Sequence, residues 1–167
     1  MYEVSVSRPQ ITPLGLVAYG LALGVIALDQ LSKFWILNVF DLPARGQVPV
    51  LPFFDLTMVW NRGVSFGLLR AEVDLARWGL ALFSLVVGVA LAWWARNLTR
   101  RLPAVALGLV IGGALGNLID RVRFGAVADF LDFSGLMFPW VFNIADSGIT
   151  IGVALLLLDS FIAPKKV

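Results

Sequence analysis

Long uncharged stretches constrain this chain more than any other feature. A bilayer's hydrocarbon core is crossed by a helix of about 20 mostly apolar residues. Four segments qualify: Ile11 to about Leu37, Trp78–Ala95, Pro103 to about Ile119, and about Val141 to Ile162. Of 167 residues, 59% are hydrophobic and only 14% charged, against roughly 25% charged in a soluble domain. The expected fold is a membrane all-α domain spanning residues 1–167, with four transmembrane helices. The first apolar stretch lacks a persuasive small-residue cleavage site, so it is read as a retained helix and not a cleaved signal.

Charge density gives the orientation. Arg96, Arg100 and Arg101 crowd the short connection between the second and third spans, Arg8 precedes the first, and Lys165 and Lys166 follow the fourth. The positive-inside rule then puts both termini in the cytoplasm. On the outer side, Asn38–Arg77 is too long for a turn. Its Val48–Trp60 stretch reads as strand punctuated by proline. In Phe124–Phe133, a strand would carry Val127, Asp129 and Leu131 on one face. These segments predict a small β-rich cradle resting on the outer end of the bundle. Gly108, Gly112 and Gly116 predict close helix packing in lipid. No lysine follows them as a phosphate loop would require.

The chain has no cysteine and no histidine. That excludes thiol nucleophiles, disulfides, imidazole bases and His- or Cys-bound metals, and neither a metal nor a cofactor is expected. Chemistry is left to carboxylates, hydroxyls, amides and a few amines. Asp29, Gln30 and Lys33 lie late in the first span, Asn117, Asp120 and Arg121 end the third, and Asn143, Asp146 and Ser147 begin the fourth. With alternating topology all three groups reach the outer side, where costly intramembrane polar residues suggest a site. Asp29 and Lys33 are spaced to pair along a helix, and Asn117 with Asp120 share a face. Singly, each of these has a structural explanation. Asp129, in an apolar strand, and Asp146, just inside a helix, resist one better. Two carboxylates brought together at a low-dielectric boundary hold one proton between them, supplying a general base and a general acid.

The sequence resembles the bacterial lipoprotein signal peptidases (signal peptidase II). The resemblance rests on Asp29-Gln30-Leu31-Ser32-Lys33, on Asn61-Arg62-Gly63-Val64-Ser65-Phe66, on Gly112 through Arg121, and on Val127-Ala128-Asp129-Phe130 followed by Phe142-Asn143-Ile144-Ala145-Asp146-Ser147. It covers nearly the whole chain, and the last two blocks are the most specific. It implies a bacterial inner-membrane aspartyl endopeptidase, working as a monomer among membrane lipids, that cleaves diacylglyceryl-modified prolipoproteins just before the lipidated cysteine. By motif match Asp129 and Asp146 are the catalytic pair, facing the outer side. Asn61, Gly63, Asn117, Asp120, Arg121 and Asn143 shape the substrate site, and Asp29 with Lys33 supports it. Beside Gly125, where many members carry His, this chain has Ala126, which is expected to adjust the loop alone. Phe53, Phe54, Trp60 and Phe66 are expected to close over the substrate.

Other classes fit less well. A Ser/Lys hydrolase has only Lys33 to use, since the other two lysines lie in the tail. The Gly-x-Gly-Asp motif of presenilin-type proteases does not occur. A small proton-coupled transporter is the alternative from another class, but its carboxylates would sit near the midplane with repeat symmetry. A net charge of +2 without a basic stripe disfavours nucleic acid.

Overall fold

The computed structural model describes residues 11–63 and 74–162. Among the described residues, four helices are long and apolar enough to cross a membrane: α1 (Pro13–Phe34, continued by a π-helical turn over Trp35–Val39), α3 (Asp74–Ala95), α4 (Arg101–Phe124) and α5 (Ile144–Ile162). A short helix α2 (Leu42–Arg45) leads into strands β1 (Gln47–Leu51) and β2 (Phe54–Asn61), while β3 (Val127–Asp132) and β4 (Val141–Phe142) lie between α4 and α5. The strands form one antiparallel sheet in the order β1-β2-β3-β4. The expected all-α membrane bundle with a β-rich cradle is therefore the fold observed. Arg8, Phe66, Lys165 and Lys166 lie outside the described residues.

Three helix limits differ from the sequence expectation: α3 opens at Asp74 and not Trp78, and the other two shifts have a physical reason. The fourth helix starts at Ile144 and not Val141, because Val141 and Phe142 pair with Asp132 and Leu131. The third runs on to Phe124 and stops at Gly125, whose φ of +77 allows the left-handed turn that ends the helix. There the Arg121 carbonyl accepts the Gly125 N–H at 3.1 Å and Arg77 Nε at 2.8 Å, so a side chain from α3 covers the exposed end. Ala126, next in the chain, is buried in the turn into β3.

α4 is the central helix. Its spanning window is 67% buried, against 17–22% for the other three. The glycines are what allow this. A Cβ on Gly108 would lie 2.7 Å from the Ala18 carbonyl oxygen, and one on Gly112 would lie 2.6 Å from Val25 Cβ, both on α1. Gly113 faces the Ala145 carbonyl of α5, and from the other side a Cβ on Gly152 would lie 2.6 Å from the Ala106 carbonyl oxygen of α4. Lipid offers no hydrophobic drive toward helix association, so close packing and interhelical hydrogen bonds take its place.

At one end the chain closes on itself. Thr12 caps α1 through the Gly15 N–H, and its hydroxyl donates to the Leu98 carbonyl at 2.8 Å. Arg100 meets Asp159 at 2.6 Å, tying the end of α5 to the same α3–α4 connection. The sheet and the buried polar residues occupy the opposite end. Gly112→Val should therefore lower the thermal midpoint in detergent by the equivalent of about 1–3 kcal/mol or more. Gly24→Val, where nothing lies within 4 Å of the added carbon, should be close to neutral.

Candidate active site

Lys33 is a buried charge, with only 2% of its surface exposed. Its ammonium lies 2.8 Å from Asp29 Oδ2 and 2.7 Å from Asp120 Oδ2, and both acids are fully buried. The expected Asp29–Lys33 pair is thus a triad spanning α1 and α4. Asp120 turns to Lys33 and not to its neighbour Arg121. Gln30 closes the group, donating to Asp29 Oδ2 at 3.1 Å and to Asp120 Oδ1 at 3.0 Å.

Each acid of the triad also grips a backbone amide. Asp29 Oδ1 accepts the Ala145 N–H at 3.0 Å, and Asp120 Oδ2 accepts the Ala128 N–H at 3.1 Å. Ala145 immediately precedes Asp146, and Ala128 immediately precedes Asp129. The bond to Ala145 also satisfies one of the amides that the first turn of α5 leaves without a helical partner.

From Lys33 the network passes outward through two amides. Asn117 Oδ1 accepts from Lys33 at 3.3 Å and from Asn143 Nδ2 at 3.2 Å, while Asn117 Nδ2 donates to Asp146 Oδ1 at 2.8 Å. Asn143 Nδ2 reaches Asp129 Oδ1 at 2.6 Å. Asn143 stands just before α5 and forms a reciprocal cap with Asp146. Its Oδ1 accepts the Asp146 N–H at 2.9 Å, and Asp146 Oδ2 accepts the Asn143 N–H at 3.2 Å. Asp146 is thereby locked at the helix start, and Asn143 spans both aspartates.

β2 completes the cluster. Register sets Val59 opposite Asp129 and Asn61 opposite Val127, so Asn61 lies diagonally across the same face from Asp129. Its Nδ2 donates to Asp129 Oδ2 at 3.0 Å, while its Oδ1 accepts the Gly63 N–H at 3.2 Å. Asp129 is 2% exposed. Burial, with the charge of Asp146 second, pushes its carboxyl from 3.8 up to about 7, against the opposing donors Asn61 and Asn143 and the more distant charge of Lys33.

All the sequence-predicted residues join this hydrogen-bonded set around Asp129 and Asp146, Arg121 through a backbone carbonyl alone. Arg121 bonds the Asn117 carbonyl at 3.3 Å, with its charge within electrostatic reach of Asp146, Asp129 and Asp120. Among the aromatics expected to close over substrate, Phe54 packs on Phe133 at 4.7 Å and Trp60 meets Phe124 edge-on at 5.6 Å. Both brace the sheet. The sequence grouped Gln30 with Asp29 and Lys33 but assigned it no role, and it did not single out Arg77. A polar side chain beside an intramembrane acid, and an arginine opening a span, were the signals available.

Comparison with known proteins bears on this arrangement. The family model for signal peptidase (SPase) II matches residues 21–162. The chain belongs to the signal peptidase II family. It is 55% identical over 157 residues to the lipoprotein signal peptidase of Caulobacter vibrioides, covering 93% of each chain. It is 45% identical over 153 residues to that of Rhodopseudomonas palustris, covering 87% of this chain and 93% of the relative. A bacterial membrane enzyme solved by the in meso method at 1.9 Å superposes with a TM-score of 0.75 at 30% identity, covering 95% of this chain and 100% of the other. Signal peptidase II membership makes the protein a peptidase of the bacterial inner membrane. The transporter alternative has no support.

Two measurements test the electrostatics. Lys33→Met leaves Asp29 and Asp120 buried without their cation and should cost about 3–5 kcal/mol of stability, read as a large fall in thermal midpoint. Asp129 has the opposite signature. Its folded-state value lies above the unfolded one, so the penalty for ionising it is absent below about pH 4, grows as pH rises to about 7, and is constant beyond. Asp129→Asn should match wild type in stability near pH 4 and exceed it near pH 8, by roughly 2–4 kcal/mol at 1.36 kcal/mol per pH unit.

Proposed function

We propose that this chain is an aspartyl endopeptidase that removes signal peptides from diacylglyceryl-modified prolipoproteins, cutting just before the lipidated cysteine. The observation that carries the proposal is the joining of Asp129 and Asp146 through Asn143, with Asp129 raised to about 7. Two relatives that align over most of their length are lipoprotein signal peptidases, which supports the substrate class. The site faces the outer side, and both termini lie in the cytoplasm. The cluster Arg96, Arg100 and Arg101 supports this, at the end of the bundle away from the sheet.

The chemistry divides between the two carboxyls. Asp146 takes a proton from water as the water oxygen bonds to the scissile carbonyl carbon. Asp129 gives its proton to the carbonyl oxygen, forming a tetrahedral diol. Asp146 then passes its proton to the cysteine nitrogen as the C–N bond breaks. Asp129 recovers a proton as the new carboxyl forms. Asn61 and Asn143 hold Asp129 from its two oxygens, and Asn117 with the Asn143 N–H holds Asp146, so neither carboxyl has to be oriented during the reaction. Asn117, Asp120, Arg121, Gly63, Asp29 and Lys33 act as positioning residues. The diacylglyceryl chains remain in the bilayer while the peptide enters beside the sheet.

Asp129→Asn and Asp146→Asn, each confirmed folded in detergent, should lose at least about 100-fold in cleavage of a lipidated precursor. Activity retained in either variant removes the aspartyl mechanism. In wild type the acid form of Asp129 is required, so kcat/KM should fall about tenfold per pH unit above about pH 7. Asn61→Ala removes a donor that favours the charged form, and should move that fall to higher pH. A fall that stays in place would assign it to another group.

A further inference from the structure

Asn61 meets Asp129 only because β2 changes face part-way along. Leu56 stands opposite Leu131 and Val59 opposite Asp129, so two residues of β2, Thr57 and Met58, face one residue of β3, Phe130. That is a β-bulge. Side chains alternate along a strand, and Leu131 and Asp129 share a face of β3. Without the extra residue, Leu56, Met58 and Trp60 would lie on the Asp129 face and Asn61 on the opposite one. With it, Val59 and Asn61 take the Asp129 face, and Asn61 Nδ2 reaches Asp129 Oδ2 at 3.0 Å.

The bulge is fastened at both of its residues. The Thr57 hydroxyl donates to Asp132 Oδ2 at 2.6 Å, and Asp132 Oδ1 accepts the Ser134 N–H at 2.9 Å. The Met58 N–H donates to the Gly46 carbonyl at 2.8 Å. Met58 and Phe130 then enter one apolar cluster with Ile36 and Leu42. Asp132 is a buried acid that the proposed mechanism does not use. Its bonds run to the bulge and to the turn after β3, away from the aspartate pair.

We propose that the Thr57–Asp132 bond holds the bulge and thereby places Asn61 on Asp129, which makes Thr57 and Asp132 positioning residues of the active site; the proposal rests on the function given above. A bond that merely strengthened the sheet would leave Asp129 as it is. This bond acts on it through Asn61, whose donated N–H favours the ionised carboxyl. Losing it loosens the bulge, turns Asn61 from Asp129 and raises the pH at which Asp129 gives up its proton. Among the described residues, the charges bearing on Asp129 are Asp146 on α5, Lys33 on α1 and Arg121 on α4, with Asp29 and Asp120 paired to Lys33. Thr57→Val alters none of them.

The test titrates Asp129 in the full-length enzyme in lipid nanodiscs. Infrared spectra of protein carrying isotope-labelled aspartate show the protonated carboxyl stretch, and its loss in Asp129→Asn assigns the band. Thr57→Val, equal in shape but without the hydroxyl, should raise the midpoint by about half to one pH unit. The alkaline fall in kcat/KM for a lipidated precursor should move up with it. Asn61→Ala should give the same shift, and adding Thr57→Val to Asn61→Ala should give no more. Thr57→Ser should restore the wild-type midpoint. Gln47→Ala, which breaks a 2.6 Å bond to Asp55 in the same sheet, should move nothing. A Thr57→Val midpoint that stays in place, with or without a loss of thermal stability, would overturn the proposal, and so would a shift that adds to that of Asn61→Ala. Where Thr57→Val fails to fold, Asp132→Ala decides by sign. Removing a negative charge alone lowers the Asp129 midpoint, whereas losing the bulge raises it, so a lowered midpoint would sink the assignment. The infrared shift in an enzyme that leaves the lipidated precursor uncut would uphold the placement of Asn61 and overturn the function it rests on.

Discussion

One buried ammonium organises the sheet-bearing end of this protein. Lys33 is placed between Asp29 and Asp120, in surroundings where two ionised carboxylates without a cation would be strongly unfavourable. Those two acids then serve as backbone anchors, one for the amide before Asp146 and the other for the amide before Asp129. The start of α5 and the start of β3 are thus tied to the same charge. The two candidate catalytic carboxyls hang from these anchors, so charge balance in the core becomes geometry at the site.

The triad can form only because the helices carrying it approach closely. Gly116 on α4 is so near that a Cβ there would lie 2.7 Å from Asp29 Oδ2. Gly112, one turn away, admits α1, and Gly113 admits α5. Larger residues would separate the backbones and lengthen every bond between Lys33, Asn117 and Asn143. The small-residue face and the polar network are therefore one device, with packing in the membrane setting distances at its boundary.

Asp129 lies where a strand meets a helical bundle. The sheet supplies Asn61, the bundle supplies Asn143 and the field of Lys33, and neighbouring Asp146 supplies the opposing charge. The protein environment replaces water on this carboxyl by two amide donors. Their help only partly offsets burial and the second acid, which is how an ordinary carboxylic acid holds a proton near neutral pH.

Much of this was legible in the chain because it is local. Span length and apolarity follow from bilayer thickness, the Asp29–Lys33 spacing follows from the helical turn, and the glycine spacing follows from helix packing. The sequence also put Asn117, Asp120, Asn143 and Asp146 at helix ends on one side. It could not say that Asp120 turns to Lys33, that Asn143 stands before its helix as a cap for Asp146, or that Asn61 reaches Asp129 across 68 positions. The bond from Asp29 to Ala145 crosses 116 positions. Such contacts depend on strand register and on which helix faces meet, and these are settled by the packing of the whole chain. By itself the sequence determined how many times the chain crosses the membrane and which residue types were left for chemistry. Only the tertiary structure decided which carboxyls share a site, because helix approach at the glycines and pairing of β2 with β3 bring them there.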